Sequence, residues 1–186
     1  MASRIVEPPA PVAEQPVRIV LLTTGGTFEK TYDETDGSLR NIGSVLDKVL
    51  ASIRLPSLTL RHIPVMSKDS LDLTDEDRVR IVRTVQEALP ESDGVVVVHG
   101  TDTLDKTGEA LHRELGTPPH PVVLTGAMRP YEFRDTDAYQ NLIEALLACR
   151  LAPPGVYVAM HNQVLRFPGV TKDRARGTFV RRPAAV

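Results

Sequence analysis

Cysteine is nearly absent from this chain of 186 residues, which contains only Cys149. A single cysteine excludes an internal disulfide framework and is typical of proteins in a reducing compartment. Cys149 lies on the apolar face of a predicted helix, so we expect it in the core. The cysteine content therefore predicts a cytoplasmic protein.

Long hydrophobic segments are also missing. The apolar runs are far shorter than the roughly 20 residues that a membrane-spanning helix needs. The start of the chain, MASRIVEPPAPVAEQP, lacks the apolar region of a secretory signal. Its four prolines are typical of a mobile tail, which we assign to residues 1–16. We therefore expect neither a secretory leader nor a membrane partner.

Charge of neither sign dominates, since 22 Lys and Arg residues oppose 24 Asp and Glu residues. This balance does not suggest binding to nucleic acid or to an anionic membrane. The five histidines lack the close spacing of metal ligands. The phosphate-binding motif GxxxxGK[ST], the dinucleotide-binding motif GxGxxG and the serine-hydrolase motif GxSxG are all absent. We therefore expect no metal ion and no cofactor.

What the chain does contain is a series of short, continuous apolar runs, rich in β-branched residues and bounded by Gly or Pro. Such runs are typical of strands buried on both faces, as in a parallel sheet. A fifth, more polar candidate strand covers 57–67. The four clear runs are VRIVLLT (17–23), GVVVVHG (94–100), PVVLTG (121–126) and GVYVAMHN (155–162).

Helical patterns alternate with these strands. Strand followed by helix, repeated along the chain, predicts a single doubly wound α/β domain with a mainly parallel sheet and helices on both faces. We place this domain at residues 17–180, between tails at 1–16 and 181–186. The helical patterns cover 44–53, 74–89, 105–115 and 137–150.

The pattern at 74–89 has the clearest local signals. Thr74 and Asp77 have the spacing of a capping box, which predicts the start of the helix. We expect one face of this helix to carry Val79, Val82 and Val85.

Small, hydroxylated or charged residues follow every predicted strand. In doubly wound sheets, ligands bind at the carboxyl ends of the strands. A purely structural domain does not need such residues at the end of every strand, so we expect a ligand site at these strand ends. The strand ends read TTGGT (23–27), MSKDS (66–70), HGTDT (99–103), TGAMRP (125–130) and HNQVLRFPGVTKDR (161–174).

Four residues at these ends could carry chemistry: Thr27, Thr101, Asp102 and Lys172. A threonine hydroxyl is a weak nucleophile at neutral pH and needs a base or a preorganised field. A lysine can be that base when desolvation favours its neutral amine, whereas a nearby Asp102 favours the ammonium. Backbone N–H groups at glycine-rich strand ends can form an oxyanion hole. Acyl transfer to a hydroxyl nucleophile is therefore chemically coherent, although spacing alone does not prove it.

Four segments resemble the L-asparaginase family and occur in its order, so that the resemblance covers about residues 17–180. The resemblance implies hydrolysis of L-asparagine to L-aspartate and ammonia, sometimes with L-glutamine as a second substrate, and without metal or cofactor. TGGT and HGTDT at this separation are its most specific parts. The segments are TTGGTFEKTYD, HGTDTLDKTGEAL, LTGAMRP…TDAYQNLIEA and GVTK.

The resemblance implies a catalytic role for five residues. Thr27 matches the nucleophile that attacks the side-chain amide carbon. Tyr32 matches a tyrosine on a mobile loop that closes over the substrate and polarises this threonine. Thr101, Asp102 and Lys172 match the proton-handling threonine, aspartate and lysine of the family. Whether Tyr32 or Lys172 is the main base stays open.

The resemblance also implies substrate contacts. Ser67 matches a ligand of the substrate α-carboxylate, and Asp102 should meet the α-ammonium group. Ala127 matches a residue whose backbone faces the amide. Gly26 lets the chain turn sharply and leaves room for the substrate. Lys68 stands where many relatives have a neutral residue, and its ammonium could either repel the substrate's ammonium or pair with its carboxylate.

The sequence departs from the family pattern in length. Most relatives carry a second, C-terminal domain, and in these enzymes the neighbouring subunit's C-terminal domain supplies an acidic residue near the α-ammonium. This chain stops soon after Lys172, so it resembles a short-chain form that consists of the N-terminal domain alone. We expect a homodimer or homotetramer, because loss of the second domain would expose surface that long relatives bury.

Structural interpretations compete with each assignment. Thr27 could be a turn residue, Thr101 and Asp102 could cap the helix that starts near Asp105, and Lys172 could be a solvated charge in a basic tail. Tyr32 and Ser67 could be ordinary exposed residues. We expect His99, Asp137 and Asn141 to shape loops through hydrogen bonds rather than to react.

Two other functions compete with the asparaginase interpretation. The chain could be an amidase subunit that supplies ammonia to a partner, although we expect no extra domain that would dock one. It could also be a non-catalytic module that binds an amino acid.

Overall fold

The computed structural model describes residues 16–41 and 45–182. The predicted tails lie almost wholly outside these residues, although Arg181 is described and ends a strand. In chain order, the strands are β1 (Val17–Gly25), β2 (Lys30–Asp33), β3 (Ser38–Asn41), β4 (Leu58–Lys68), β5 (Gly94–Val98), β6 (Pro121–Thr125), β7 (Gly155–Met160), β8 (Gln163–Arg166), β9 (Val170–Asp173) and β10 (Thr178–Arg181). The α-helices are α1 (Val45–Ser52), α2 (Asp75–Ala88), α3 (Leu104–Leu115) and α4 (Ala138–Leu151).

Six strands form the central sheet, in the order β4-β1-β5-β6-β7-β8. The first five are parallel to one another, and β8 pairs with β7 in the antiparallel sense. All five predicted strands are confirmed. The strand β8 and the hairpins β2–β3 and β9–β10 were not predicted, because they are only four residues long and mostly polar or half-exposed.

Each central strand is buried on both faces, which explains its continuous apolar sequence. In β5, Val95 and Val97 pack on one side of the sheet, whereas Val96 and Val98 pack on the other. Helices α2 and α3 cover the first side, and α1 and α4 cover the second. The predicted doubly wound α/β fold with helices on both faces is confirmed. In the described part of the chain, no helix has the length and apolarity to cross a membrane.

The four predicted helices are also confirmed, and α2 begins as expected. The Thr74 hydroxyl accepts a hydrogen bond from the Asp77 amide, and the Asp77 carboxylate accepts one from the Thr74 amide. Of the three valines predicted to share one face, Val82 and Val85 are buried, whereas the Val79 side chain is 62% exposed. The buried stripe of α2 instead runs through Ile81 and Val85, four residues apart, and Val79 lies outside it.

The strand order reverses between β1 and β5. After β1 the chain adds β4 on one side, and it then crosses to the other side to add β5 and β6. At such a switch point the connections diverge to opposite faces and leave a crevice beyond the carboxyl ends of the two strands. TTGGT spans the end of β1 and the turn after it, and HGTDT follows β5, so the fold brings the two most specific sequence motifs to one crevice.

Candidate active site

Two glycines shape the turn that carries Thr27. Gly25 and Gly26 have φ values of 96° and 82°, in the left-handed region that favours glycine. The amide of Gly26 donates to the Lys68 carbonyl at 2.9 Å, which ties the end of β1 to the end of β4. A β-carbon on Gly26 would lie 2.4 Å from the Gly100 α-carbon, so only glycine allows this contact with the segment after β5. Thr27 is the next residue, and it is half-buried.

Thr101 and Asp102 occupy the turn between β5 and α3. Helix α3 begins at Leu104 with Thr103 at its N-cap, and no side chain caps it there. The interpretation of Thr101 or Asp102 as a helix cap was therefore wrong. The hydroxyl of Thr103 instead donates to the Ser70 carbonyl at 2.7 Å, which joins this turn to the segment after β4.

Lys172 reaches both of these residues from the hairpin β9–β10. Its Nζ donates to Thr101 Oγ1 at 2.8 Å and to Asp102 Oδ1 at 3.0 Å. The Lys172 side chain is only 13% exposed, and its backbone pairs with Phe179 across the hairpin. The interpretation of Lys172 as a solvated charge in a basic tail was therefore wrong. The structure brings the predicted threonine, aspartate and lysine into direct contact.

A second cation, Arg174, contacts the same carboxylate. Its Nη1 donates to Asp102 Oδ1 at 2.9 Å, and its side chain is 69% exposed. Partial burial acts to raise the pKa of Asp102, but the hydrogen bond and charge of Lys172 and the charge of Arg174 hold that pKa below its usual value. Asp102 is therefore ionised at neutral pH. Sequence reasoning missed Arg174, which lies in the turn just beyond β9, where no motif marks it.

Ser67 and Lys68 end β4, and both are exposed. The Lys68 ammonium pairs with the Asp77 carboxylate at 2.7 Å, so it is engaged by the cap of α2 in this structure. Nearby, Lys30 and Asp69 form an ion pair at 2.8 Å. This pair joins the chain after Thr27 to the chain after Ser67.

Tyr32 lies in β2 and is not joined to the other candidates. Its side chain is 57% exposed, and its hydroxyl lies 3.6 Å from where a β-carbon of Gly37 would be, within the same hairpin. Its amide donates to Glu132 Oε2 at 2.7 Å, which holds the hairpin to the segment after β6. Among the described residues, no hydrogen bond links the Tyr32 side chain to Thr101 or Lys172.

Ala127 follows β6 and is buried, with 1% exposure. Its neighbour Gly126 packs so closely that an added β-carbon would lie 3.1 Å from Thr101 Cγ2 and 2.3 Å from the His99 carbonyl oxygen. The segment after β6 thus lines the same crevice.

His99 has the structural role that we predicted. Its Nδ1 lies 2.7 Å from the Gly100 carbonyl oxygen and must donate, so Nε2 accepts from the Thr107 hydroxyl at 2.9 Å. Complete burial lowers the pKa of His99 to about 4, which keeps the ring neutral. Asp137 is also structural, since it accepts hydrogen bonds from the Met128 amide and from the Asn141 side chain, both of which order the turn before α4.

Glu29 is a buried carboxyl group that the sequence did not single out. It lies two residues after Thr27 and is only 5% exposed. Burial raises its pKa to about 7, against the lowering effect of hydrogen bonds from Gly25 and Thr23. The Thr23 hydroxyl lies 3.0 Å from His62 Nε2, and the turn after β1 therefore rests on a polar network. Glu29 lies within the segment TTGGTFEKTYD, but the resemblance assigns it no role.

The described residues contain no group of three or more His, Cys, Asp or Glu side chains that could hold a metal ion. The predicted absence of a metal and a cofactor stays a prediction.

A family model described as "Asparaginase, N-terminal" matches residues 18–180. The chain belongs to the asparaginase family. It is 34% identical to an L-asparaginase of Thermococcus kodakarensis over 161 residues, which are 87% of this chain and 49% of that protein. It is 32% identical to a glutamyl-tRNA(Gln) amidotransferase subunit of Metallosphaera sedula over 151 residues, which are 80% of this chain and 34% of the relative.

Solved asparaginases have the same fold. The thermostable L-asparaginase from Thermococcus kodakarensis superposes with a TM-score of 0.81 at 35% identity, over 88% of this chain and 51% of the other. A probable cytoplasmic L-asparaginase from Campylobacter jejuni gives a TM-score of 0.73 at 28% identity, over the same shares of the two chains. This chain therefore spans about half the length of the asparaginases that it matches.

Proposed function

We propose that this protein hydrolyses the side-chain amide of L-asparagine to L-aspartate and ammonia, with Thr27 as the nucleophile. The observation that carries the proposal is the contact of Lys172 with both Thr101 and Asp102. This cluster lies at the switch point of the sheet, where the turn that carries Thr27 packs against Gly100. Membership of the asparaginase family supports the same chemistry.

In the proposed reaction, the Thr27 hydroxyl oxygen attacks the amide carbon of the substrate. The carbon–nitrogen bond then breaks, the nitrogen gains a proton and leaves as ammonia, and an ester to Thr27 remains. Water attacks this ester, which releases aspartate and restores the hydroxyl. We assign Ala127 to the amide group, because its neighbour Gly126 packs against Thr101. Gly26 provides the sharp turn that leaves room beside the nucleophile.

We assign proton transfer to the cluster of Thr101, Asp102 and Lys172. Lys172 hydrogen-bonds to both of its partners, and an amine acts as a base only in its neutral form, which has a lone pair. The Thr101 hydroxyl can both accept and donate, and it is therefore suited to relay a proton. Tyr32 is the other candidate base, and such a role requires that the hairpin β2–β3 close over the substrate.

The amino-acid end of the substrate needs opposite charges. We assign the α-ammonium to Asp102, which is ionised and accessible, and the α-carboxylate to Ser67 at the exposed end of β4. Lys68 lies next to Ser67, but its ion pair with Asp77 neutralises much of its charge. We therefore expect Lys68 to neither repel the α-ammonium strongly nor bind the carboxylate directly.

Ammonia release from L-asparagine and, separately, from L-glutamine tests the proposal, with the purified protein, its Thr27→Ala variant and a Thr117→Ala control. Thr117 is exposed in the loop after α3. We expect activity on L-asparagine that Thr27→Ala abolishes and Thr117→Ala retains. A folded wild-type protein that releases no ammonia contradicts the proposal.

A second candidate is an amidase subunit that supplies ammonia to a protein partner. The similarity to a glutamyl-tRNA(Gln) amidotransferase subunit favours it. Faster ammonia release from L-glutamine than from L-asparagine would support this candidate. The non-catalytic alternative predicts that calorimetry detects binding of L-aspartate although neither amide is hydrolysed.

Assembly into a homodimer or homotetramer is also a proposal, as is a cytoplasmic location. Helix α4 exposes Ile143, Leu147 and Leu151 at a spacing of four residues, and Val164 on β8 is 50% exposed. Exposed apolar side chains of this kind are typical of interaction surfaces when they lie together. Light scattering on the purified protein gives the oligomer mass directly.

A further inference from the structure

Two protein cations contact the single negative charge of Asp102. Its Oδ1 accepts from Lys172 at 3.0 Å and from Arg174 at 2.9 Å. If the same carboxylate is to receive the α-ammonium of an amino acid, three cations would compete for it. Both protein cations use Oδ1, so Oδ2 can still accept a hydrogen bond. Repulsion among three cations around a single negative charge nevertheless favours departure of the more weakly held protein cation.

The structure distinguishes the two cations. Lys172 is 13% exposed and is also held by Thr101, whereas Arg174 is 69% exposed and lies just beyond the end of β9. Ion pairs of exposed side chains are weak, because water solvates and screens both partners. Arg174 is therefore the cation that an arriving ammonium displaces.

The geometry of an α-amino acid decides where the displaced guanidinium goes. The ammonium and the carboxylate of the substrate are bonded to one carbon, so an ammonium at Asp102 brings the carboxylate within a few ångströms of Arg174. A guanidinium binds a carboxylate through two parallel hydrogen bonds, whereas Arg174 uses one nitrogen on Asp102. The exchange therefore replaces a single contact by a stronger one.

We propose that Arg174 determines specificity for α-amino acids by leaving Asp102 when the substrate α-ammonium binds there and pairing with the substrate α-carboxylate. The zwitterion is inserted into an existing ion pair, so charges alternate from Asp102 through the substrate to Arg174. A ligand that lacks either charged group cannot complete this arrangement. The inference rests on the proposed role of Asp102 in binding the α-ammonium.

Substrate analogues separate this role from a structural one. The amides are L-asparagine and 3-aminopropanamide, which lacks the α-carboxylate, and the proteins are wild type, Arg174→Ala and Arg176→Ala. Arg176 is an exposed arginine in the same turn and serves as the control. We expect Arg174→Ala to raise KM for L-asparagine about 10- to 100-fold with little change in kcat, the range for a lost hydrogen bond to a charged group. Its effect on 3-aminopropanamide should stay within about threefold.

Two kinetic results would overturn the inference. A lower KM of Arg174→Ala for both amides would mean that Arg174 only competes with the ammonium. Equal parameters for wild type and variant on both amides would mean that the pair with Asp102 has no role in binding.

Calorimetry with L-aspartate and with β-alanine, which lacks the α-carboxylate, tests the inference without turnover. We expect Arg174→Ala to weaken binding of L-aspartate at least about tenfold and to leave that of β-alanine unchanged. If the wild type hydrolyses no amide but shows this pattern, the inference holds and the proposed function fails. If the wild type is active but Arg174→Ala binds L-aspartate normally, only the inference fails. Absence of L-aspartate binding to the wild type overturns the inference.

Discussion

Gly26 and Gly100 lie in backbone contact, so that a β-carbon on Gly26 would fall 2.4 Å from the Gly100 α-carbon and 2.6 Å from its nitrogen. The contact joins the turn before Thr27 to the turn before Thr101. Backbone atoms cannot rotate out of the way as a flexible side chain can, so the distance between the two turns is set by the absence of side chains. The spacing between Thr27 and the cluster of Thr101, Asp102 and Lys172 therefore depends on the lack of side chains at Gly26 and Gly100.

Gly26→Ala is expected to disrupt this spacing. Its φ of 82° and ψ of −172° cost an alanine about 1–3 kcal/mol, and overpacking against Gly100 adds about 1–3 kcal/mol. Gly177→Ala is the matched control, because Gly177 has a φ of 61° and no atom within 4 Å of its added β-carbon. Urea unfolding should show a loss of only about 1–2 kcal/mol for the control and clearly more for Gly26→Ala, which should also lose ammonia release. Equal losses in the two variants would argue against the role of the contact.

Lys172→Met is expected to remove proton handling and to leave the fold intact. The methionine keeps the apolar stem of the side chain but cannot donate to Thr101 or Asp102. Because positioned proton transfer contributes about 10²- to 10⁴-fold, kcat for L-asparagine should fall within that range. Lys48→Met, on the exposed side of α1, should keep the wild-type rate. A Lys172→Met variant with more than half of the wild-type kcat would exclude this lysine as base.

Glu29 is expected to make stability depend on pH near neutrality. Its pKa is about 7 in the folded protein and 4.5 in the reference state, so between these values the folded state holds a proton that the unfolded state lacks. Stability therefore falls as pH rises through this window, by about 3 kcal/mol at about 1.36 kcal/mol per pH unit. Above pH 7 the loss is complete and stability no longer depends on this group.

Glu29→Gln should remove this dependence, because the amide stays neutral. At pH 5 the melting temperatures of variant and wild type should agree, and at pH 8 that of the variant should be higher by roughly 5 to 10 °C. Glu34→Gln, at an exposed position of the hairpin turn, serves as the control and should follow the wild type. If the melting temperatures of Glu29→Gln and wild type differ by the same amount at both pH values, the effect does not come from ionisation of Glu29.

The central strands could be predicted because a strand that is buried on both faces has a continuous run of apolar residues, such as the four valines of β5. Hairpin β9–β10 has no continuous apolar run, since its strands are only four residues long and carry Lys172, Asp173 and Arg181. The contact between Lys172 and Thr101 spans 71 positions, and no local pattern encodes a pairing at that distance. Only the resemblance to a family linked the two residues in advance.

Arg174 and Glu29 show the limit of that resemblance. Arg174 lies outside the shared segments, and Glu29 lies inside TTGGTFEKTYD without an assigned role, so the properties of both arise from neighbours that only the fold supplies. Arg174 is defined by its contact with Asp102, and the pKa of Glu29 by its burial beneath the turn. Charge and burial at such positions are consequences of tertiary structure, so sequence reasoning could not predict them.

Tyr32 gives a way to observe closure of the hairpin β2–β3, because the chain contains no tryptophan. Tyr32→Trp places a single indole where the present side chain is 57% exposed. If the hairpin closes over a bound ligand, the indole leaves water, and saturating L-aspartate should shift its emission to shorter wavelength. Val164→Trp, on the edge strand β8 and 50% exposed in the present side chain, should show no shift with the same ligand.

The emission spectra must be compared at an L-aspartate concentration at which calorimetry shows that the ligand is bound. A saturated Tyr32→Trp protein with unchanged emission would mean that the hairpin stays as it is in the structure, with the Tyr32 hydroxyl beside Gly37. Tyr32 could then not act as the base, and proton transfer from Thr27 would fall to Lys172 through Thr101. A shift that also appears in Val164→Trp would instead report a change of the whole molecule and not hairpin closure.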